Sequence, residues 1–170
     1  MVLEQTSEEN NNVNVLPIQL ETNEQNFLTD LVKETAAFYG VKFCAVTVFG
    51  ERGVFFLAEY GFGGVEFLDY PLTDPNKCPI RLTCARPLPV IISDLSKDDR
   101  FCDIDCVRVD PKLKFYTAVA INFKGPTQGA MFIADVKSNS NFLLQEADFL
   151  KAQANRYQAL RGNAGTSSLR

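Results

Sequence analysis

The sequence predicts one α+β domain built on an antiparallel sheet. Two segments rich in β-branched and aromatic residues, 42–60 and 115–136, each double back across a short Gly-containing turn, as antiparallel neighbours do. A segment with apolar residues at helical spacing stands near each end of the chain. The 170 residues, 46% of them hydrophobic, suffice for one core and leave no room for a second domain.

Taken in order, residues 1–20 are polar and rich in Asn, Glu and Gln, and read as a flexible leader whose apolar patch Val13–Ile18 docks on the domain. The first helix starts at Thr22, which has capping-box spacing to Gln25, and stops at Gly40, where a left-handed cap is wanted. Lys42–Phe49 and Val54–Tyr60 form a hairpin across Gly50–Gly53. A Gly-rich loop (Gly61, Gly63, Gly64) ends near Phe67–Pro71. A helix capped by Asp74, with Pro75 in its first turn, runs through Cys78 and Leu82 to stop at Pro87, and Pro89–Ile92 is a short strand. Phe115–Phe123 and Ala130–Val136 form the second hairpin. The final helix starts near Asn141, carries the seam Leu143, Ala147, Leu150, Ala154 and Tyr157, and ends at Gly162, so 21–162 is the domain and 163–170 a tail. The two long helices cover one face of the sheet, and 61–114 must cover the other, enclosing a natural place for a ligand.

Composition removes several functions. The net charge of −4 and pI near 4.9 speak against nucleic-acid binding, which needs clustered Lys and Arg. No apolar run approaches the roughly 18 residues of a bilayer span, and the acidic N-terminus lacks the features of a signal peptide, so a cytoplasmic location is expected. Five widely spread cysteines fit reduced thiols. With no histidine there is no Ser-His or Cys-His pair and no imidazole metal ligand. No other catalytic constellation stands out, and the chain is expected not to be an enzyme.

Three segments then carry a likeness: "DLSKDDRF" (94–101), "LKFYTAVAINFKGPTQGAMFIAD" (113–135) and "FLLQEADFLKAQANRY" (142–157). In this order and spacing they resemble the GAF domain of sensor kinases and response regulators, over about residues 22–161. The resemblance implies a six-stranded antiparallel sheet and a regulatory, ligand-sensing or dimerising module of a signalling protein with further domains, such as a two-component system. It places Arg100 and Phe101 in a lid over the pocket. The chain departs from the family at Ala120-Ile121, where Pro-Leu is usual, and at Thr117, where a small residue is common. It lacks the His that follows the bilin-bearing cysteine of phytochrome-like members; here Cys84 precedes Ala85. It also lacks the "NKxxF...DE" signature of cyclic-nucleotide binders. The stand-alone free methionine-R-sulfoxide reductases of this family place thiols where this chain has Cys78 and Val109, so that reading would require Cys102 or Cys106 to serve instead. A degenerate domain, its interior filled by Phe and Tyr side chains and used only to dimerise, is the further alternative.

The stretch Ser93–Cys106 (SDLSKDDRFCDIDC) tests the site chemistry. Cys102 and Cys106 make half a zinc site, and no EF-hand spacing fits, so no metal is expected. Its aspartates are read as caps facing water, Phe101 as a buried plug, and Arg100 as paired with Asp94 or Asp98, with a ligand carboxylate or phosphate as its alternative partner. A ligand, if bound, would be small and partly apolar, lying between the 115–120 strand, the Cys78–Cys84 helix and Phe101. Strand alternation lets only one of Tyr116 and Thr117 face it, and Thr117 is chosen, together with Phe115 and Val119; Cys84, Arg100 and Phe101 complete the candidate ligand-binding residues. The ligand's identity, and any cofactor, do not follow from the sequence.

Apolar residues off the main stripes (Phe27 and Phe38 on the first helix, Leu144, Phe149 and Leu160 on the last) exceed what one sheet buries. They point to a homodimer through the terminal helices, unless the leader covers them.

Overall fold

The computed structural model describes residues 15–69 and 77–167. Helix α1 (Thr22–Tyr39) leads into strands β1 (Phe43–Phe49), β2 (Gly53–Tyr60) and β3 (Phe67–Asp69). The short helix α2 (Pro79–Cys84), strand β4 (Val90–Ile92) and helix α3 (Asp105–Arg108) follow. Strands β5 (Phe115–Asn122) and β6 (Gln128–Asp135) and helix α4 (Asp148–Ser167) complete the chain. The strands form one six-stranded sheet in the order β3-β2-β1-β6-β5-β4, antiparallel at every pairing. This is the α+β arrangement expected, with α1 and α4 on one face and a cover of α2, the turn at Leu95–Lys97 and α3 on the other.

Two cores result. On the helix face, Leu28 and Val32 of α1 meet Val46, Ile133 and Val119 of the sheet and Leu150 and Tyr157 of α4. On the opposite face, Ala45, Tyr116 and Phe132 meet Ile80, Leu95, Phe101 and Leu113 of the covering segment. Because both faces are buried, β1 and β6 are apolar at nearly every position instead of alternating.

The ends of the helices depart from expectation in physically readable ways. Thr22 begins α1, but the capping box does not form: Gln25 turns inward and its Nε2 donates to the Leu57 carbonyl at 2.8 Å. Gly40 does take the left-handed conformation (φ 64°), with Val41 N–H closing on the Ala36 carbonyl. Asp74-Pro75, the expected start of the second helix, lies outside the described residues. The helix seen there starts at Pro79, with Cys78 as its cap rather than an interior residue. A proline costs nothing at the first helical position, where its missing N–H has no partner anyway, but would break a helix already under way. The final helix starts later than Asn141, after a 3-10 turn at Leu144–Ala147 in which Glu146 accepts from Leu143 N–H. It also does not end at Gly162 but continues to Ser167. Ala147, Leu150, Ala154 and Tyr157 are buried as a seam, while Leu143, ahead of the helix, is exposed. Strand β3 was not read from the sequence element by element.

Much of the apolar surplus on the terminal helices is used within the chain. Phe38 stacks on Phe149 with ring centroids 3.7 Å apart, and the Arg156 guanidinium lies over Phe27. Leu16 and Ile18, from the apolar patch read at 13–18, and Leu20 beyond it pack against the helix-face core, while Val15 is exposed. The two helices are also joined by polar contacts. Gln153 donates to Thr35, Arg156 pairs with Glu34, and the buried Tyr157 hydroxyl donates to Glu24. Phe38, Leu143 and Leu144 stay exposed.

Candidate functional site

The sheet face under the covering segment holds a small apolar cavity of about 50 Å³. Phe56 and Phe62 from the β2 end, Tyr116 and Phe132 from the sheet, and Leu95 and Leu113 from the cover form its walls. Phe62 meets Phe56 and Phe132 edge to face, with ring centroids 5.6 Å and 5.8 Å away, and Tyr116 lies tilted against Phe132 at 5.4 Å. Such contacts keep the space narrow. It has room for a few water-sized groups, against the roughly 300 Å³ or more of a typical small-molecule site. Its polar element is Tyr116, whose hydroxyl lies 3.0 Å from Thr83 Oγ1; Thr83 in turn donates to the Pro79 carbonyl across one turn of α2.

The residues expected to hold a ligand are not brought together. Strand alternation along β5 puts Phe115 and Val119 in the helix-face core, and Thr117 shares their side. Tyr116 and Ala118 face the cavity side instead. The choice of Thr117 over Tyr116 is therefore corrected. Thr117 is fully buried beneath the terminal helices, with no hydrogen-bond partner for its hydroxyl among the described residues. Both faces of β5 are covered, so apolar pattern alone did not reveal its parity. The usable signal was chemical: of two adjacent hydroxyl-bearing residues, the long amphipathic Tyr reaches a partner across the layer. Cys84 does not line the cavity either. Its thiol lies 3.2 Å from the Gly129 carbonyl, facing a separate hollow.

The Ser93–Cys106 stretch folds as its residues imply. Asp94 caps the 3-10 turn Leu95–Lys97 by accepting from Ser96 N–H at 3.0 Å. Leu95 and Phe101 are buried in the cover, while Asp99, Asp103 and Asp105 are exposed. Arg100 makes a two-pronged bond to Asp98, Nε to Oδ1 at 2.9 Å and Nη2 to Oδ2 at 2.7 Å, and its guanidinium lies over the Phe101 ring. These hydrogen bonds from Arg100 hold the Asp98 carboxyl below the usual carboxylate range. Arg100 thus rivets the outside of the cover, with its charge matched by Asp98 and not turned to the cavity, and Phe101 anchors the cover from within without lining the cavity. Among the described residues no group of three or more Cys, Asp or Glu is placed to hold a metal ion.

The thiols of Cys44, Cys78 and Cys84 are held in their protonated form. Burial pushes Cys44 and Cys78 up, and Cys84 up to about 12. Cys78 is buried at the start of α2, and Val109 stands exposed after α3. These are the two positions where the sequence was compared with thiol reductases.

No protein-family model and no curated protein matches the chain. Solved structures do. A GAF domain from a phosphoenolpyruvate-protein phosphotransferase of Coxiella burnetii is similar with a TM-score of 0.67 at 15% identity, over 88% of this chain and 89% of that one. The free methionine-R-sulfoxide reductase of Neisseria meningitidis, solved with its substrate, gives 0.66 at 12%, over 88% and 83%. A phycocyanobilin-bound GAF domain from a cyanobacterial phytochrome gives 0.66 at 13%, over 89% and 90%. With the sheet order and the two-sided cover, these likenesses establish a GAF fold for the chain. They also correct the expectation that it is not an enzyme. Free methionine-R-sulfoxide reductases share the fold at 12–13% identity, so the fold gives no ground for setting catalysis aside. No helix among the described residues is long and apolar enough to cross a membrane.

Proposed function

We propose that the chain is a regulatory GAF module of a signalling protein that senses a small, mainly apolar molecule in the cavity between Tyr116, Phe132 and the covering segment. The observation that supports this reading is the cavity itself: apolar walls, a single Tyr116–Thr83 hydroxyl pair, and a sheet face closed by short elements instead of long helices. Two of the similar structures hold a small molecule, a phycocyanobilin and a reductase substrate. At its present volume the cavity admits a ligand only when a ring gives way. Phe62 is the ring placed to do so, being half-buried and flanked by Gly61 and Gly63, both with positive φ. The ligand-bound form then passes its state to attached domains through α1 and α4, in a cytoplasmic homodimer joined at the exposed Phe38, Leu143 and Leu144.

Native mass spectrometry of the freshly purified chain, with thermal shifts against a metabolite panel, tests the sensing role. A co-purifying molecule, or a metabolite shift that Tyr116→Phe or Phe132→Ala weakens, is expected. Absence of both overturns sensing and leaves the filled, dimerising form of the domain. Sedimentation of the whole chain and of a form starting at Glu21 tests assembly: a dimer is expected, and a monomer for both at high concentration ends that part of the proposal.

A further inference from the structure

A second hollow, of about 360 Å³, lies on the far side of β5 from β6, between the 85–89 turn and α4. Its ionisable lining has one sign. Arg86 and Lys151 border it, and no Asp or Glu does among the described residues, in a chain whose net charge is −4. Neither cation is in an ion pair with another described residue. Asn155 and Gln158 of α4 add amide groups to the same wall.

The floor of the hollow is an open sheet edge. Strand β4 pairs with β5 only from Val90, opposite Ala118. Pro87 and Pro89 just before it carry no N–H with which to extend the ladder. On this outer edge Leu95 N–H donates to the Lys114 carbonyl, and Asn122 N–H donates to Gln158 Oε1. Lys114 divides its groups, its N–H donating to the Asp135 carbonyl of β6, while Asn122 turns its N–H away from β6. The two-residue period of the strand turns the N–H and C=O of Ala120 the same way, at a point where no strand among the described residues lies beside them. The hollow thus offers a donor and an acceptor in ladder geometry, with two cations nearby.

We infer that this hollow binds a small organic carboxylate that carries an amide, of the size and chemistry of an N-acylated amino acid. The amide pairs with the N–H and C=O of Ala120 as one residue of an added strand, and the carboxylate lies on Arg86 and Lys151. A guanidinium matches a carboxylate with two parallel hydrogen bonds, and ladder bonds recognise an amide whatever its side chain. The volume falls in the range of small-molecule sites. This site is separate from the apolar cavity and does not depend on it.

The test is a titration of the full chain, followed by backbone amide NMR, with N-acetyl-L-alanine, acetate and inorganic phosphate as probes. N-acetyl-L-alanine is expected to move the Ala120 amide saturably at concentrations up to about 10 mM, and acetate and phosphate to bind about fivefold more weakly for want of the amide. The double variant Arg86→Gln/Lys151→Gln, altered at two exposed positions, is expected to weaken N-acetyl-L-alanine about tenfold with its amide spectrum otherwise intact. Equal binding of all three probes would mean a general anion patch and overturn the proposal. So would shifts centred on Tyr116 and Phe132, unchanged affinity in the double variant, or no saturable shift at Ala120.

Discussion

Thr117 carries a hydroxyl into an apolar layer and finds no partner there among the described residues. A buried polar group without a hydrogen bond costs about 1–3 kcal/mol, and Val has nearly the same shape as Thr. Thr117→Val is therefore expected to stabilise the domain by about 1 kcal/mol, raising Tm by about 2–4 °C in a thermal unfolding experiment; an unchanged or lower Tm would show that the hydroxyl has a use. The thiols give a pH dependence with a definite sign. Cys84 rises from about 9 to about 12 on folding, so its contribution to stability is complete below about 9 and is lost as pH climbs toward 12. Urea midpoints at pH 8, 9 and 10 should fall with pH, and the fall should be shallower in Cys84→Ala. Equal slopes would mean that the Cys84 thiol is as free to ionise folded as unfolded. The aspartates, Arg100 and Phe101 of the cover were legible in the sequence because charge and size decide their sides. The cavity residue on β5 was not, because Tyr116 and Thr117 are both buried and periodicity is silent when both faces are covered.

Among the elements, the two hairpins and the spans of α1, β1 and β2 were legible because each has a local cause: a Gly turn, a left-handed cap or a β-branched run. The causes of the helix starts were not. At α1 the side chain of Gln25 serves β2 instead of the cap, and α2 starts at the proline at 79. Strand β3, three residues long, exists because β2 offers it an edge, which no local signal announces. Strand β6 carries the strongest test of a single position. A Cβ at Gly129 would run into the Thr47 carbonyl of neighbouring β1 and the Phe123 ring. Central strands cannot shift to relieve this, so Gly129→Ala should cost about 2 kcal/mol or more in urea unfolding. A loss under about half a kcal/mol would mean that β1 and β6 slide apart more easily than their pairing implies.

For the molecule as a whole, the order of elements along the chain was enough to foresee a sheet with helices on one face and an irregular cover on the other. The residue motifs from 94 to 157 pointed to the GAF arrangement that the solved structures share. The open edge beside Ala120 was not foreseeable, since it depends on where β4 stops and on which way one strand of the sheet turns its backbone.

Strand β5 belongs to both cores at once, Tyr116 on one side and Phe115 and Val119 on the other. The sheet between them is one backbone thick, so it works as a shared partition: no change in the cavity can be accommodated by β5 without moving something under α4. Widening the cavity with Tyr116→Leu should therefore displace the methyl resonances of Leu150 and Val119 in a ¹³C methyl NMR spectrum, although neither residue lines it. Shifts confined to the cavity side would mean that the partition is stiff enough to keep the two cores ignorant of each other, and that α4 takes its instructions from elsewhere.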